Sequence, residues 1–120
     1  MKQTEYLHIL EQFPTKKVLV IGDFCLDEYL HGHTEHTSPE APIPRVIIHS
    51  KKYVPGAAGN VVCGVRALGA ETYAVGVIGR DTNGSILLSE LHTRGIQTQG
   101  IIALRGRNTP TYSRVVSGGK

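Results

Sequence analysis

A chain of 120 residues has room for one hydrophobic core and excludes a complete two-domain enzyme. Its 40% hydrophobic and 19% charged residues exclude a disordered or fibrous composition. Thirteen Lys and Arg against ten Asp and Glu give a net +3 scattered along the chain, which speaks against nucleic acid as a partner.

At the N-terminus, Glu5 and Glu11 interrupt the apolar residues, so Met1–Phe13 lacks the layout of a signal peptide. No apolar run approaches the ~20 residues that cross a bilayer, and the expectation is a cytoplasmic protein without membrane contact. Tyr6, Ile9, Leu10 and Phe13 follow helical spacing and predict a short amphipathic helix ended by Pro14. Lys17–Gly22 contains the continuous run Val18-Leu19-Val20-Ile21, the pattern of a strand covered on both faces at the centre of a parallel sheet.

From Glu28 to Ser50 short alternating pieces flank Pro39, Pro42 and Pro44, which bar a helix or central strand and predict an excursion of exposed strands, a small flap. The turn Pro55-Gly56-Ala57-Ala58-Gly59-Asn60 leads into a helix over Val61–Leu68 that stops at Gly69. Thr72–Ile78 predicts a second buried strand, and Gly79–Gly84 a polar turn with Asp81 or Asn83 capping the next helix. That helix, Ser85–Thr93, turns Ile86, Leu87, Leu88 and Leu91 inward and ends at Gly95. Ile101–Leu104 and Thr111–Val116 complete the strands. Strands alternating with helices of this length predict βαβ units and a three-layer α/β/α fold with a small β flap.

Several groups of residues carry chemistry. Asp23 and Asp27 directly follow the first strand, where open α/β sheets bind ligands, and two short carboxylates there can accept hydrogen bonds from the hydroxyls of a polyol. A strand-end turn with solvated acids fits the same residues. Gly56–Asn60 allows close backbone approach and offers helix-start amides to anionic or hydroxyl oxygens, with Asn60 adding a donor and an acceptor. A small-residue turn made for packing is the plainer account. The chain has no GxGxxG, and Gly119-Lys120 does not end a Walker A loop, whose first glycine would fall at Arg114.

His31, His33 and His36 cluster in the flap, and His-x-His on a strand puts two imidazoles on one face. No Cys or further carboxylate is spaced to complete a tetrahedral site, so polar contacts within the flap are expected and no metal is assigned. Cys25 and Cys63 have no CxxC partner; Cys63 falls in a helical core pattern, and the acids beside Cys25 disfavour a thiolate.

Taken in order, Gly22-Asp23-Phe24-Cys25-Leu26-Asp27, Ser38-Pro39-Glu40-Ala41-Pro42-Ile43-Pro44, Pro55-Gly56-Ala57-Ala58-Gly59-Asn60 and Ala67-Leu68-Gly69-Ala70 resemble the opening of ribokinase-like (PfkB) carbohydrate kinases. The proline-rich stretch is similar to that of the heptose 7-phosphate kinase branch, including domain I of bifunctional ADP-heptose synthases. The resemblance runs from about Val18 to Val116. It implies transfer of the γ-phosphoryl of ATP, with Mg²⁺, onto a hydroxyl of a sugar phosphate.

Carried over by position, it implies that Asp23 and Asp27 hold sugar hydroxyls and that Gly56, Ala57 and Asn60 cradle the sugar. Arg114 would meet substrate phosphate, and residues 28–50 would form a lid that also makes a homodimer contact. Two positions depart from the pattern: the family's Gly-Gly-Ala-Ala-Asn turn has its small residues exchanged at Ala57 and Gly59, and His36 stands where the branch often has arginine.

The resemblance also implies a Gly-Ala-Gly-Asp anion hole, its aspartate the general base, in a C-terminal half that these residues do not include. The expectation is therefore the N-terminal portion of one kinase domain, inactive alone, with apolar sheet faces that the other half would cover. The alternative is a catalytically dead sugar-phosphate-binding or dimerisation module.

Overall fold

The computed structural model describes residues 1–118. The elements are helix α1 (Gln3–Glu11), a 3-10 turn (Phe13–Thr15), strands β1 (Lys17–Ile21), β2 (Phe24–Thr37) and β3 (Pro44–Ala57), helix α2 (Ala58–Ala67), β4 (Glu71–Gly79), α3 (Thr82–Thr93), β5 (Gln97–Leu104) and β6 (Thr111–Ser117). Gly119 and Lys120, at the rejected Walker A position, lie outside the described residues.

Two three-stranded sheets result. In the first, β1, β4 and β5 are parallel in that order, with Val20 beside Ala74 and Val77 beside Ile102. In the second, β2 lies between β3, its antiparallel hairpin partner, and β6, which runs parallel to it. The flap is thus one hairpin of two 14-residue strands instead of short pieces. Its prolines fit because Pro39 and Pro42 lie in the connection, Pro44 opens β3, and Pro55 sits near its end.

The core joins Phe24 and Leu26 of β2, Val62 of α2, Ala74 and Ile78 of β4, Leu87 and Leu91 of α3, and Ile96. Full burial of each large aliphatic side chain is worth about 1.5–3 kcal/mol. Cys63, expected in this core, is half-buried at its margin.

Helices α2 and α3 pack on the Ala74–Ile78 face of the first sheet. The opposite face is open and β4, not β1, is the central strand, which corrects the expectation that β1 lies at the centre of the sheet and is covered on both faces. Its residues alternate in exposure, leaving Leu19 56% and Ile21 73% exposed, and the register sets Ile102 and Leu104 on that same face at 57% and 45%. A continuous apolar run shows that both faces suit burial, whereas cover depends on the elements that pack there.

Local starts also differ from the sequence pattern. α1 ends at Glu11, Pro14 lies in the 3-10 turn, and the helix buries no residue. α2 begins at Ala58, well before the first apolar periodic residue, so the glycine-rich turn shrinks to Ala57. α3 begins at Thr82 with Asp81 as its N-cap, the carboxylate accepting from Gly84 N.

Candidate functional site

The chain leaves β1 through Gly22, whose N–H still donates to the Val75 carbonyl at 3.1 Å. At Asp23 it turns toward the second sheet, and the Asp23 carbonyl accepts from Ala58 N at 2.9 Å, tying the strand end to the start of α2. Alternation along β2 then sorts the side chains. Phe24 and Leu26 enter the core, with Phe24 filling the space that a side chain on Gly76 would need. Cys25 and Asp27 fall on the other face, and Asp23 precedes the strand in the turn that follows β1.

Gly56 pairs with Cys25 across the hairpin, and a β-carbon there would stand 2.6 Å from Cys25 Sγ and 2.7 Å from Asp27 Oδ2, so these side chains would have to move to admit one. Ala57, next in the chain, has φ 52° and is the one non-glycine residue with positive φ among the described residues. β6 supplies the other wall, with Tyr112 paired to Asp27 and Arg114 to Tyr29. Arg114 Nη1 lies 3.5 Å from Asp27 Oδ1 and donates to the Tyr29 hydroxyl at 3.2 Å, and its guanidinium carbon stands 5.3 Å from the Tyr29 ring centroid.

Asp23, Cys25, Ala57, Arg107, Pro110 and Tyr112 line a hollow of ≈ 330 Å³, floored by Phe24. A second hollow, of ≈ 420 Å³, adjoins it on the open face of the first sheet near the end of β1, lined by Ile21, Asp23, Val77, Ile102 and Arg107 among others. The structure thus brings Asp23 and Ala57 to one cavity, sets Gly56 and Asp27 directly behind Cys25, and ties Arg114 to Asp27. Asn60 is exposed on the first turn of α2 and lines neither hollow. Arg107 is invisible in the sequence pattern, since two arginines in the short turn Arg105-Gly106-Arg107 carry no signal of their own.

Burial pushes the Cys25 thiol above its ordinary pKa, the Asp27 carboxylate adds to this, and Arg114 partly opposes it. Cys25 is therefore a neutral thiol at neutral pH and no nucleophile. In the hairpin, His33 stacks on His49 of the opposite strand, with Nδ1 and Nε2 2.5 Å apart, while His31 stacks on Tyr29. His31 and His33 thus pair with other partners instead of with each other. Among the described residues no group of three or more His, Cys, Asp or Glu is placed to hold a metal ion, so these side chains do not by themselves offer a seat for Mg²⁺. No described helix is long and apolar enough to cross a membrane.

A parallel sheet with helices on one face, a strand-end aspartate and a long hairpin beside it define a ribokinase-like α/β unit. A carbohydrate kinase from Agrobacterium tumefaciens has the same arrangement at a TM-score of 0.67 and 25% identity, over 85% of this chain and 32% of that one. Fructokinase with bound ATP from Xylella fastidiosa matches at 0.59 and 22%, over 84% and 30%.

The chain belongs to the pfkB family of carbohydrate kinases, whose sequence model matches residues 15–120. It is 43% identical over 113 residues to the "Bifunctional protein HldE" of Magnetococcus marinus, covering 93% of this chain and 23% of that protein. With the protein of the same name from Helicobacter pylori it shares 39% over 102 residues, 85% of this chain and 22% of that one. The chain therefore spans about a quarter of the length of the curated relatives it matches.

Proposed function

We propose that these residues form the sugar-binding part of a kinase that moves the γ-phosphoryl of ATP onto a hydroxyl of a sugar phosphate, a heptose 7-phosphate in ADP-heptose synthesis. The observation that carries this reading is the hollow that Asp23, Cys25 and Ala57 share past the end of β1, with the Asp27 carboxylate set beside Gly56 behind Cys25. Asp23 and Asp27 accept hydrogen bonds from sugar hydroxyls, and such charge-assisted bonds are about twice as strong as neutral ones. Arg114 holds Asp27 in place for this contact. Ala57 and Gly56 let the backbone approach the sugar, and Asn60 offers a donor and an acceptor to a ligand that reaches the start of α2.

Phosphoryl transfer relies on positioning and on stabilising charge on the moving group. The residues here do the positioning. ATP with its Mg²⁺ would supply the phosphoryl group, and the sequence contains no Gly-Ala-Gly-Asp motif to serve it. On this reading the 120 residues alone turn over no sugar, and the complete protein acts in the cytoplasm.

The hairpin of β2 and β3 closes over the sugar as a lid and excludes water. The same hairpin favours contact with a second copy, because β3 is a sheet edge and carries exposed Ile47 and Ile48.

The test is ATP consumption by the complete protein encoded by the gene, beside residues 1–120, against a panel of heptose and hexose phosphates. Sugar-dependent turnover by the complete protein alone supports the reading. Turnover by the 120 residues overturns the division of labour, and sugar binding without turnover by the complete protein supports a binding module instead.

A further inference from the structure

We propose that Arg107 is the residue that grips the phosphate ester of the substrate sugar. The inference rests on the sugar-phosphate kinase reading above. Arg107 and Asp23 are the two residues common to both hollows, so they stand at the junction between the cavity beside the hairpin and the one on the open sheet face. Among the described residues, Arg107 is the only cation that lines either. A sugar seated on Asp23 would extend its charged substituent into one of these spaces, next to a carboxylate that repels it. A cation at the junction supplies the missing attraction.

The backbone that carries Arg107 is fixed from two sides. Thr109, nearly fully buried, donates from N to Asp81 Oδ2 at 2.8 Å and from Oγ1 to Asp81 Oδ1 at 2.6 Å, while Gly79 N donates to its Oγ1 at 3.0 Å. On the other side, Leu26 N donates to the Pro110 carbonyl at 2.8 Å, joining the loop to β2. The Arg107 carbonyl packs so close to Gly79 that no side chain fits at that position. The Asp81 cap of α3 thus also positions the arginine loop.

The Arg107 side chain is exposed and makes no hydrogen bond or ion pair among the described residues, whereas Arg114 is occupied by Asp27 and Tyr29. A guanidinium on a fixed backbone with its donors unspent suits a forked contact with phosphate oxygens.

The experiment compares wild type, Arg107→Gln and Arg107→Lys in the complete protein, with a sugar phosphate and its unphosphorylated counterpart as alternative substrates. Arg107→Gln should raise KM for the sugar phosphate, so that the preference for the phosphorylated sugar in kcat/KM falls about 10- to 100-fold, the range for a lost bond to a charged group. Arg107→Lys, which keeps the charge and loses the fork, should fall between. An equal loss on both sugars overturns the proposal. So does a loss confined to kcat, which would mark Arg107 as acting on the transferred group. Wild-type turnover with an unaffected Arg107→Gln removes this inference alone, and absence of sugar-dependent ATP use by wild type removes the kinase reading with it.

Discussion

The Asp27 carboxylate rests against Gly56, with Oδ2 2.7 Å from where a β-carbon on Gly56 would stand. Cys25 Sγ closes the other side at 2.6 Å, so the added methyl of Gly56→Ala has no free direction. Either Asp27 swings away or the hairpin parts. Overpacking of this kind costs about 1–3 kcal/mol. The expected result in the complete protein is a lowered melting temperature together with sugar affinity reduced about tenfold, the effect of roughly 1.4 kcal/mol lost at one hydrogen bond. Calorimetric titration with the sugar phosphate measures it, and unchanged affinity would separate Asp27 from the binding site.

Arg114 and Asp27 act on Cys25 in opposite senses, and this gives a readout independent of catalysis. The carboxylate raises the thiol pKa and the guanidinium lowers it. Asp27→Asn should therefore bring the Cys25 pKa down, and Arg114→Met should push it further up. Methionine keeps an apolar stem against Tyr29 while removing the charge. The pH dependence of thiol alkylation reports both shifts, with Cys63 replaced by Ala to leave one reactive thiol. Stability should hardly change in Arg114→Met, since Arg114 is 54% exposed and such ion pairs contribute about 0–1 kcal/mol.

These two contacts also mark what the sequence could show. β1, β4 and α3 are legible because apolar runs and helical spacing are local signals, and Asp81 stands where a cap should. The hairpin is legible as exposed strands but not in its length, because its prolines lie in the connection and near the strand ends, where a ladder tolerates them. The start of α2 is hidden because Ala58 and Gly59 carry no periodicity. The pairing of Arg114 with Tyr29 depends on the parallel register of β2 and β6, which joins residues 85 positions apart. Arg107 becomes visible only when that same topology folds its turn back over Asp23.

Ala57 holds φ 52° and ψ −123°, a region that glycine enters freely and alanine does not. Strain of this kind costs on the order of 1–3 kcal/mol, less the entropy that a glycine adds to the unfolded chain. Ala57→Gly should therefore stabilise the protein by about 1 kcal/mol, seen as a higher urea midpoint with an unchanged slope. Gly59→Ala, the other half of the exchange seen in the turn, should do the reverse, since its β-carbon would meet that of Pro55 at 2.7 Å. A destabilised Ala57→Gly would show that the backbone at this point relaxes to negative φ.

Asp81 ties the cap of α3 to the loop of Arg107, and its charge makes that tie depend on pH. The Thr109 hydroxyl and amide donate to its carboxylate and, with Gly84 N, hold its pKa below the ordinary 3.8, against a smaller opposing effect of burial. A carboxyl whose pKa is lower folded than unfolded contributes stability that is fully present above its unfolded pKa and is lost as pH falls through the folded one. Asp81→Asn keeps an acceptor for Gly84 N, as asparagine caps helices about as well as aspartate, but it loses the charge-assisted bonds to Thr109. At pH 7 it should cost about 1–2 kcal/mol. That deficit should shrink as pH is lowered from 5 toward 2, because protonation removes the same charge from the wild type. Urea unfolding across the series measures the difference, and a deficit constant with pH would show that the Thr109 contacts do not depend on the charge.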